Sequence, residues 1–133
     1  MYYLDGDYRL MPDAQETKAE AKARAKAHKD EVVAYLNQVA PVTARGMFGG
    51  FGLYTEGVMF ALIAYEVLYF KIDDENRGDY ELAGMGPFTY TRHGKDMAMS
   101  YYQLPDEVYA DLGLLYDWLE KSAAAARRGK RMK

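Results

Sequence analysis

Three apolar segments follow one another within residues 46–72 with only two or three residues between them. Thr55-Glu56-Gly57 separates the first from Val58-Met59-Phe60-Ala61-Leu62-Ile63-Ala64, and Tyr65-Glu66 separates the second from Val67-Leu68-Tyr69-Phe70-Lys71-Ile72. Connections this short join antiparallel neighbours, because a parallel crossover needs a dozen or more residues. Strands are therefore expected at 46–54, 58–64 and 67–72. Leu68, Phe70 and Ile72 alternate with Tyr69 and Lys71, which gives one buried face and one partly wet face. The run 58–63 is apolar at both parities, as a central strand packed on each side would be. Two further strands are expected at 86–92 and 95–102, turning at His93-Gly94.

Helices bracket this sheet. Thr17 and Glu20 have the S/T-x-x-E spacing of a capping box. The stretch TKAEAKARAKAHKDEVVAYLNQVA that they open is rich in good helix formers. Its first half lacks large apolar residues, whereas Val32, Tyr35, Leu36 and Val39 form a stripe in its second half. Pro41 is expected to stop it. Asp73-Asp74-Glu75 opens a short helix to about Ala83, where acids favour the helix dipole and Gly84 ends it. A last helix begins after Leu104, with Pro105 in its first turn and Val108, Leu112, Leu115 and Leu119 as its apolar stripe. The order α-β-β-β-α-β-β-α, with hairpins throughout, predicts an α+β fold: a two-layer sandwich of one antiparallel sheet with its helices on one face.

A chain of 133 residues, half of them apolar and 28% charged, suits one domain that needs no metal or disulfide to fold. We divide it into an N-terminal extension (1–16), a single domain (17–126) and a basic C-terminal tail (127–133). Met11 is a second place at which the chain could start. No cysteine is present, which excludes a disulfide framework, a thiolate zinc site, an iron–sulfur cluster and a cysteine nucleophile. The N-terminus has neither the basic nor the apolar region of a secretory signal, and no apolar run is long enough to span a bilayer. A cytoplasmic protein without membrane contact is expected.

Net charge is −3 but unevenly spread. Residues 41–126 hold six bases and thirteen acids, while 127–133 hold five bases and no acid. Arg127, Arg128, Lys130, Arg131 and Lys133 are thus the candidate nucleic-acid contacts, able to bind phosphate by counterion release. A solvated terminus that only aids solubility explains the same residues. Lys18, Lys22, Arg24, Lys26 and Lys29 of the first helix are diluted by Glu20, Asp30 and Glu31, and read as a solvated face.

The catalytic inventory is thin. A serine triad would need Ser100, His93 and Asp96, but Ser100 lacks a nucleophile-elbow frame. Asp73, Asp74, Glu75, Asn76 and Asp79 could offer oxygens to a hard cation, yet lack calcium-loop spacing; helix capping accounts for them. Gly46-Met47-Phe48-Gly49-Gly50-Phe51-Gly52 is neither a dinucleotide fingerprint nor a phosphate loop, and fits a bent strand closely approached by another backbone. No catalytic residue, metal or cofactor is expected. Thirteen tyrosines are many. Tyr54, Tyr69, Tyr90, Tyr101 and Tyr102 fall in strands, and a sheet face that left them exposed would be a candidate for protein contact.

Met47-Phe48-Gly49-Gly50-Phe51-Gly52-Leu53-Tyr54, Val58-Met59-Phe60-Ala61-Leu62, Leu68-Tyr69-Phe70-Lys71-Ile72-Asp73 and Asn76 together resemble the N-terminal domain of the TfoX/Sxy competence regulators. Pro87-Phe88-Thr89-Tyr90 and Met99-Ser100-Tyr101-Tyr102-Gln103-Leu104-Pro105 continue the pattern in the same order, so the resemblance covers about residues 30–125. It implies a secretion-chaperone-like two-layer α+β fold, no enzymatic activity, and a role in expressing DNA-uptake genes. Full-length regulators of this kind assist the cyclic-AMP receptor protein at promoters and carry a second, helical domain, whereas this chain ends soon after the first. Three readings follow. The first is a bacterial transcriptional co-regulator acting through protein contacts, with DNA reached through the tail. The second is a stand-alone protein-binding or homodimerisation module without a DNA role, which the acidic body favours. The third is an undetected enzyme using Ser100, His93 or the acids at 73–79. Partners are expected among the transcription machinery or a second copy of the chain.

Overall fold

Thr17 starts the first helix as its spacing predicts: its hydroxyl accepts from the Glu20 amide at 3.0 Å, and the Glu20 carboxylate accepts from the Thr17 amide at 3.2 Å. The computed structural model describes residues 16–47 and 49–131, together with the backbone of two short paired strands, β1 (Tyr2–Leu4) and β2 (Leu10–Pro12). Helix α1 spans Lys18–Leu36, and only its second half reaches the core, through Val32 and Leu36. It ends before Pro41 is reached. The Asn37 side chain donates to the Val33 carbonyl at 2.8 Å and the Val42 carbonyl at 3.0 Å, and accepts from the Val42 amide at 3.2 Å. One amide thus closes the helix and holds the turn that follows.

Six antiparallel strands form the main sheet: β3 (Thr43–Met47), β4 (Gly50–Thr55), β5 (Val58–Ala64), β6 (Val67–Lys71), β7 (Pro87–Arg92) and β8 (Lys95–Gln103), in the order β3-β4-β5-β6-β8-β7. Helix α2 (Arg77–Leu82) crosses between β6 and β7, and α3 (Asp106–Tyr109) and α4 (Leu112–Arg131) close the chain. The fold is α+β as expected; besides the β1–β2 pair ahead of α1, it differs in element order at two places. Residues 46–54 are a hairpin rather than one bent strand, because the chain turns at Gly49, whose φ of +81° suits glycine. The last helix is two helices, because the Asp111 carboxylate accepts from the Gly113 amide at 3.0 Å and the Leu114 amide at 3.1 Å and so caps a new helix.

Strand pairing sorts the side chains onto two faces. Leu53 opposite Ala61, and Ala61 opposite Phe70, place all three on the helix side. The register then slips between Leu53 and Tyr54, so that Phe60 is an extra residue in β5 and joins Ala61 in the core. That bulge explains why the run 58–63 is apolar at both parities. Helices α1 and α4 cover this side with Val32, Leu36, Leu115, Leu119 and Ala123. Phe60 meets Phe70 edge-on at 5.4 Å, and each such buried ring contributes about 1.5–3 kcal/mol. Tyr80 from α2 packs on Trp118 at 4.6 Å and shares a hydrogen bond with Ser122 at 3.2 Å, which satisfies both buried hydroxyls.

Candidate functional site

The other face of the sheet has no helix over it among the described residues. The pairs Arg45–Gly52, Tyr54–Met59, Leu62–Tyr69, Lys71–Tyr101 and Tyr90–Met97 place these residues on it, and strand alternation adds Met47, Phe88 and Met99. The composition is that of an interface core, aromatic and methionine-rich. Its rings engage one another across the strands. Tyr69 meets Phe88 edge-on at 5.3 Å, and Phe88 lies nearly parallel to Tyr90 with centroids 6.3 Å apart. Leu62, although on this uncovered side, is only 5% exposed, because these neighbours close around it. Tyr90 and Met97, on the hairpin formed by β7 and β8, are 39% and 42% exposed.

That hairpin runs past β6, which pairs with β8 only at residues 101–103. Between it and the ends of β3, β4 and β5 lies a groove of about 250 Å³ whose lining includes Met47, Gly50, Leu62, Phe88, Tyr90 and Met99. Gly50 sits so close to β5 that an added Cβ would lie 2.2 Å from the Ile63 carbonyl oxygen, the close backbone approach expected of this glycine-rich stretch. The sulfurs of Met47 and Met59 lie over Gly52, 2.9 and 3.0 Å from where its Cβ would be. Two cations rest on tyrosine rings of the same face: Arg45 over Tyr54 at 5.2 Å and Lys71 over Tyr101 at 5.1 Å. With Arg92 and Lys95 at the hairpin end, the strand residues on this face carry four cations and no carboxylate. The Tyr101 hydroxyl donates to the Met59 carbonyl at 3.3 Å, and burial pushes its pKa up to about 12. It is therefore a neutral group at physiological pH.

The residues singled out in sequence fall elsewhere. Arg127, Arg128, Lys130 and Arg131 continue α4, and Lys133 lies outside the described residues. Arg127 pairs with Glu56 at 3.2 Å. Arg128 grips Asp73 with two nitrogens, at 2.7 and 3.0 Å, and reaches Glu75 at 2.9 Å. Its hydrogen bonds hold the Asp73 carboxyl below the usual carboxylate range. Lys130 reaches the Gly57 carbonyl at 3.5 Å. In the acidic stretch, Asp74 pairs with Arg77 at 2.6 Å and Asp79 with Lys121 at 3.0 Å. Asn76 is buried as a turn residue, accepting from the Asp73 amide at 2.8 Å and donating to the Lys71 carbonyl at 3.0 Å. Among the described residues, no group of three or more acids and histidines is gathered as a metal site.

Ser100, His93 and Asp96 are not brought together. His93 forms the β7–β8 turn, and Ser100 lies five residues along β8 from Lys95, roughly 17 Å from that turn at about 3.4 Å per residue. Asp96 instead accepts from Thr91 at 3.1 Å. On α1, Lys26 and Lys29 both pair with Asp30, and Arg24 bridges Glu16 and Glu66. Of the sequence candidates, the strand tyrosines Tyr54, Tyr69, Tyr90 and Tyr101 and the glycine-rich stretch, through Met47, Gly50 and Gly52, reach the open face. The methionines were missed, although Met97, Met99 and Tyr101 share a parity in β8 that points them to one side.

The fold is a two-layer α+β domain with one sheet face covered by helices and, among the described residues, one aromatic face without a helix over it. The TfoX N-terminal domain family matches residues 34–126, and the chain belongs to that family. The match spans all six strands of the main sheet and most of α4, and it supports a competence-related regulatory module. No curated protein matches the chain in sequence. No helix among the described residues is long and apolar enough to cross a membrane.

Proposed function

We propose that the chain is a non-enzymatic module that regulates DNA-uptake genes by docking a protein of the transcription machinery on its open sheet face. One observation carries this reading. The face is apolar, aromatic and methionine-rich, and no helix among the described residues covers it, while α1 and α4 pack on the opposite side. Such a surface loses unfavourable hydration when a partner covers it, and methionines adapt to a partner's side chains. Duplex DNA is a less favoured ligand. Arg127 and Arg128 are engaged with Glu56, Asp73 and Glu75, so a phosphate bound at these two would have to displace those carboxylates. Self-association through the same face is also less favoured, because two copies placed face to face would bring like charges together.

The test is a titration of the isotope-labelled full chain with the host's cyclic-AMP receptor protein, followed by amide NMR. The expected result is broadening confined to β4–β8 amides around Leu62, Phe88, Tyr90 and Met99. Broadening at α4, or none at all, would count against the docking face.

A further inference from the structure

Among the described residues, four two-residue hairpins join neighbouring strands of the main sheet, and three of them place glycine at the second loop position. These are Gly49, Gly57 and Gly94, with φ between +77° and +85°. Such a turn follows the twist of its strands when both loop residues are left-handed, a conformation that glycine and asparagine tolerate best. The fourth turn, between Ala64 and Val67, departs from this pattern. It holds Tyr65 at φ +51° and Glu66 at +61°, in a region that bulky residues rarely enter. An Asn-Gly pair would make the same turn with less strain.

Glu66 has a contact that offsets its strain. Its carboxylate accepts from the Arg24 Nε at 2.9 Å and so ties the turn to the first half of α1, which buries no residue of its own. Tyr65 has no such contact. Its side chain makes no ring contact and no hydrogen bond among the described residues, and the residue is 92% exposed. Its position is specific, however. The apolar groove of the open face and a second groove of about 140 Å³, between α1 and the sheet, both border Tyr65. A protein that covers the open face as far as Gly50 therefore meets this ring at its margin. Strain that no internal contact offsets, at the rim of a docking surface, points to binding rather than folding. Tyrosine suits that use, being apolar in body, polar at the tip and frequent among the residues that dominate binding energy.

We infer that Tyr65 is an anchor for the protein that docks on the open face: its ring enters an apolar pocket of that partner, and its hydroxyl donates to an acceptor at the base of the pocket. The inference rests on the reading of that face as a docking surface. It extends the footprint beyond the strands to the β5–β6 turn. The two strained residues divide the work, Glu66 fixing the turn through Arg24 and Tyr65 making the contact.

The test repeats the receptor-protein titration on full chains altered at this turn. Tyr65→Asn suits the left-handed backbone and lacks the ring. It is expected to raise the melting temperature by about 2–5 °C and to weaken binding at least about thirtyfold. Tyr65→Phe keeps the ring and loses only the hydroxyl, and should weaken binding by about threefold. Tyr116→Asn, an exposed tyrosine of α4 on the other side of the domain, should bind as the unaltered chain does. If Tyr65→Asn binds as tightly as the unaltered chain, with open-face amides still broadened, the anchor is overturned and the docking face stands. Weaker binding together with a lower melting temperature assigns the turn a structural role and also overturns the anchor. No broadening in the unaltered chain overturns the docking face and the anchor together.

Discussion

Gly50 occupies a place where no other residue fits. Its missing Cβ would lie 2.2 Å from the Ile63 carbonyl oxygen, a backbone atom held in the β4–β5 ladder, whereas a Cβ at Gly46 meets nothing within 4 Å. Gly50→Ala should therefore destabilise the fold by about 1–3 kcal/mol, and Gly46→Ala by less than about 0.5 kcal/mol, read as shifts of the urea midpoint. The glycine-rich stretch was legible as a close approach, but not as the wall of a groove. Which backbone comes near depends on strand pairing, not on the glycines themselves. Tyr101 gives a second test at this scale. Burial raises its pKa to about 12, above the ordinary tyrosine value of about 10. The folded state thus prefers the neutral phenol. The stability this contributes is fully present below pH 10 and is lost as pH rises through about 12. Burial raises Tyr69, Tyr80 and Tyr109 as well, so tyrosinate absorbance should show several late-titrating groups, one fewer in Tyr101→Phe, and that variant should lose less stability between these pH values than the unaltered chain.

At the scale of elements, hydrophobic period and turn spacing revealed most of the sheet, and capping spacing revealed the start of α1. Side-chain contacts formed across the fold were not legible. Nothing local announces that Asn37 rather than Pro41 ends α1, because its partners include Val42 beyond the turn. Asp111 is a comparable case. Its apolar neighbours Val108, Leu112 and Leu115 keep a helical rhythm across the break, so one helix is read where two are formed. Asp111→Ala should cost about 1 kcal/mol in thermal or urea unfolding, while Asp111→Asn, which retains the accepting oxygen, should cost only a few tenths. The basic residues near the C-terminus teach the same lesson. Their charge was legible and their partners were not, because Asp73 lies 55 positions from Arg128 in sequence.

For the whole molecule, the informative division of charge runs between the two faces of the sheet rather than along the chain. Residues 41–126 contain thirteen acids, yet the strand residues of the open face contribute none. A count along the sequence averages over this, because alternation sends neighbouring residues to opposite sides, as with Lys95 and Asp96. Clustering of tyrosines was foreseeable from the strand pattern. Their concentration on the bare face was not, since it depends on both helices choosing the same side. The most direct measurement compares two pairs of exposed apolar residues on opposite sides of the domain, in cells where DNA-uptake transcripts are counted. Tyr90→Glu with Met97→Glu alters the open face, and Leu112→Glu with Tyr116→Glu alters α4 at positions of similar exposure, 39–48% across the four. The account predicts that the first pair lowers the transcripts to the level of a gene deletion, while the second leaves them unchanged at equal protein abundance. Unchanged transcripts for the first pair, with loss for the second, would contradict it.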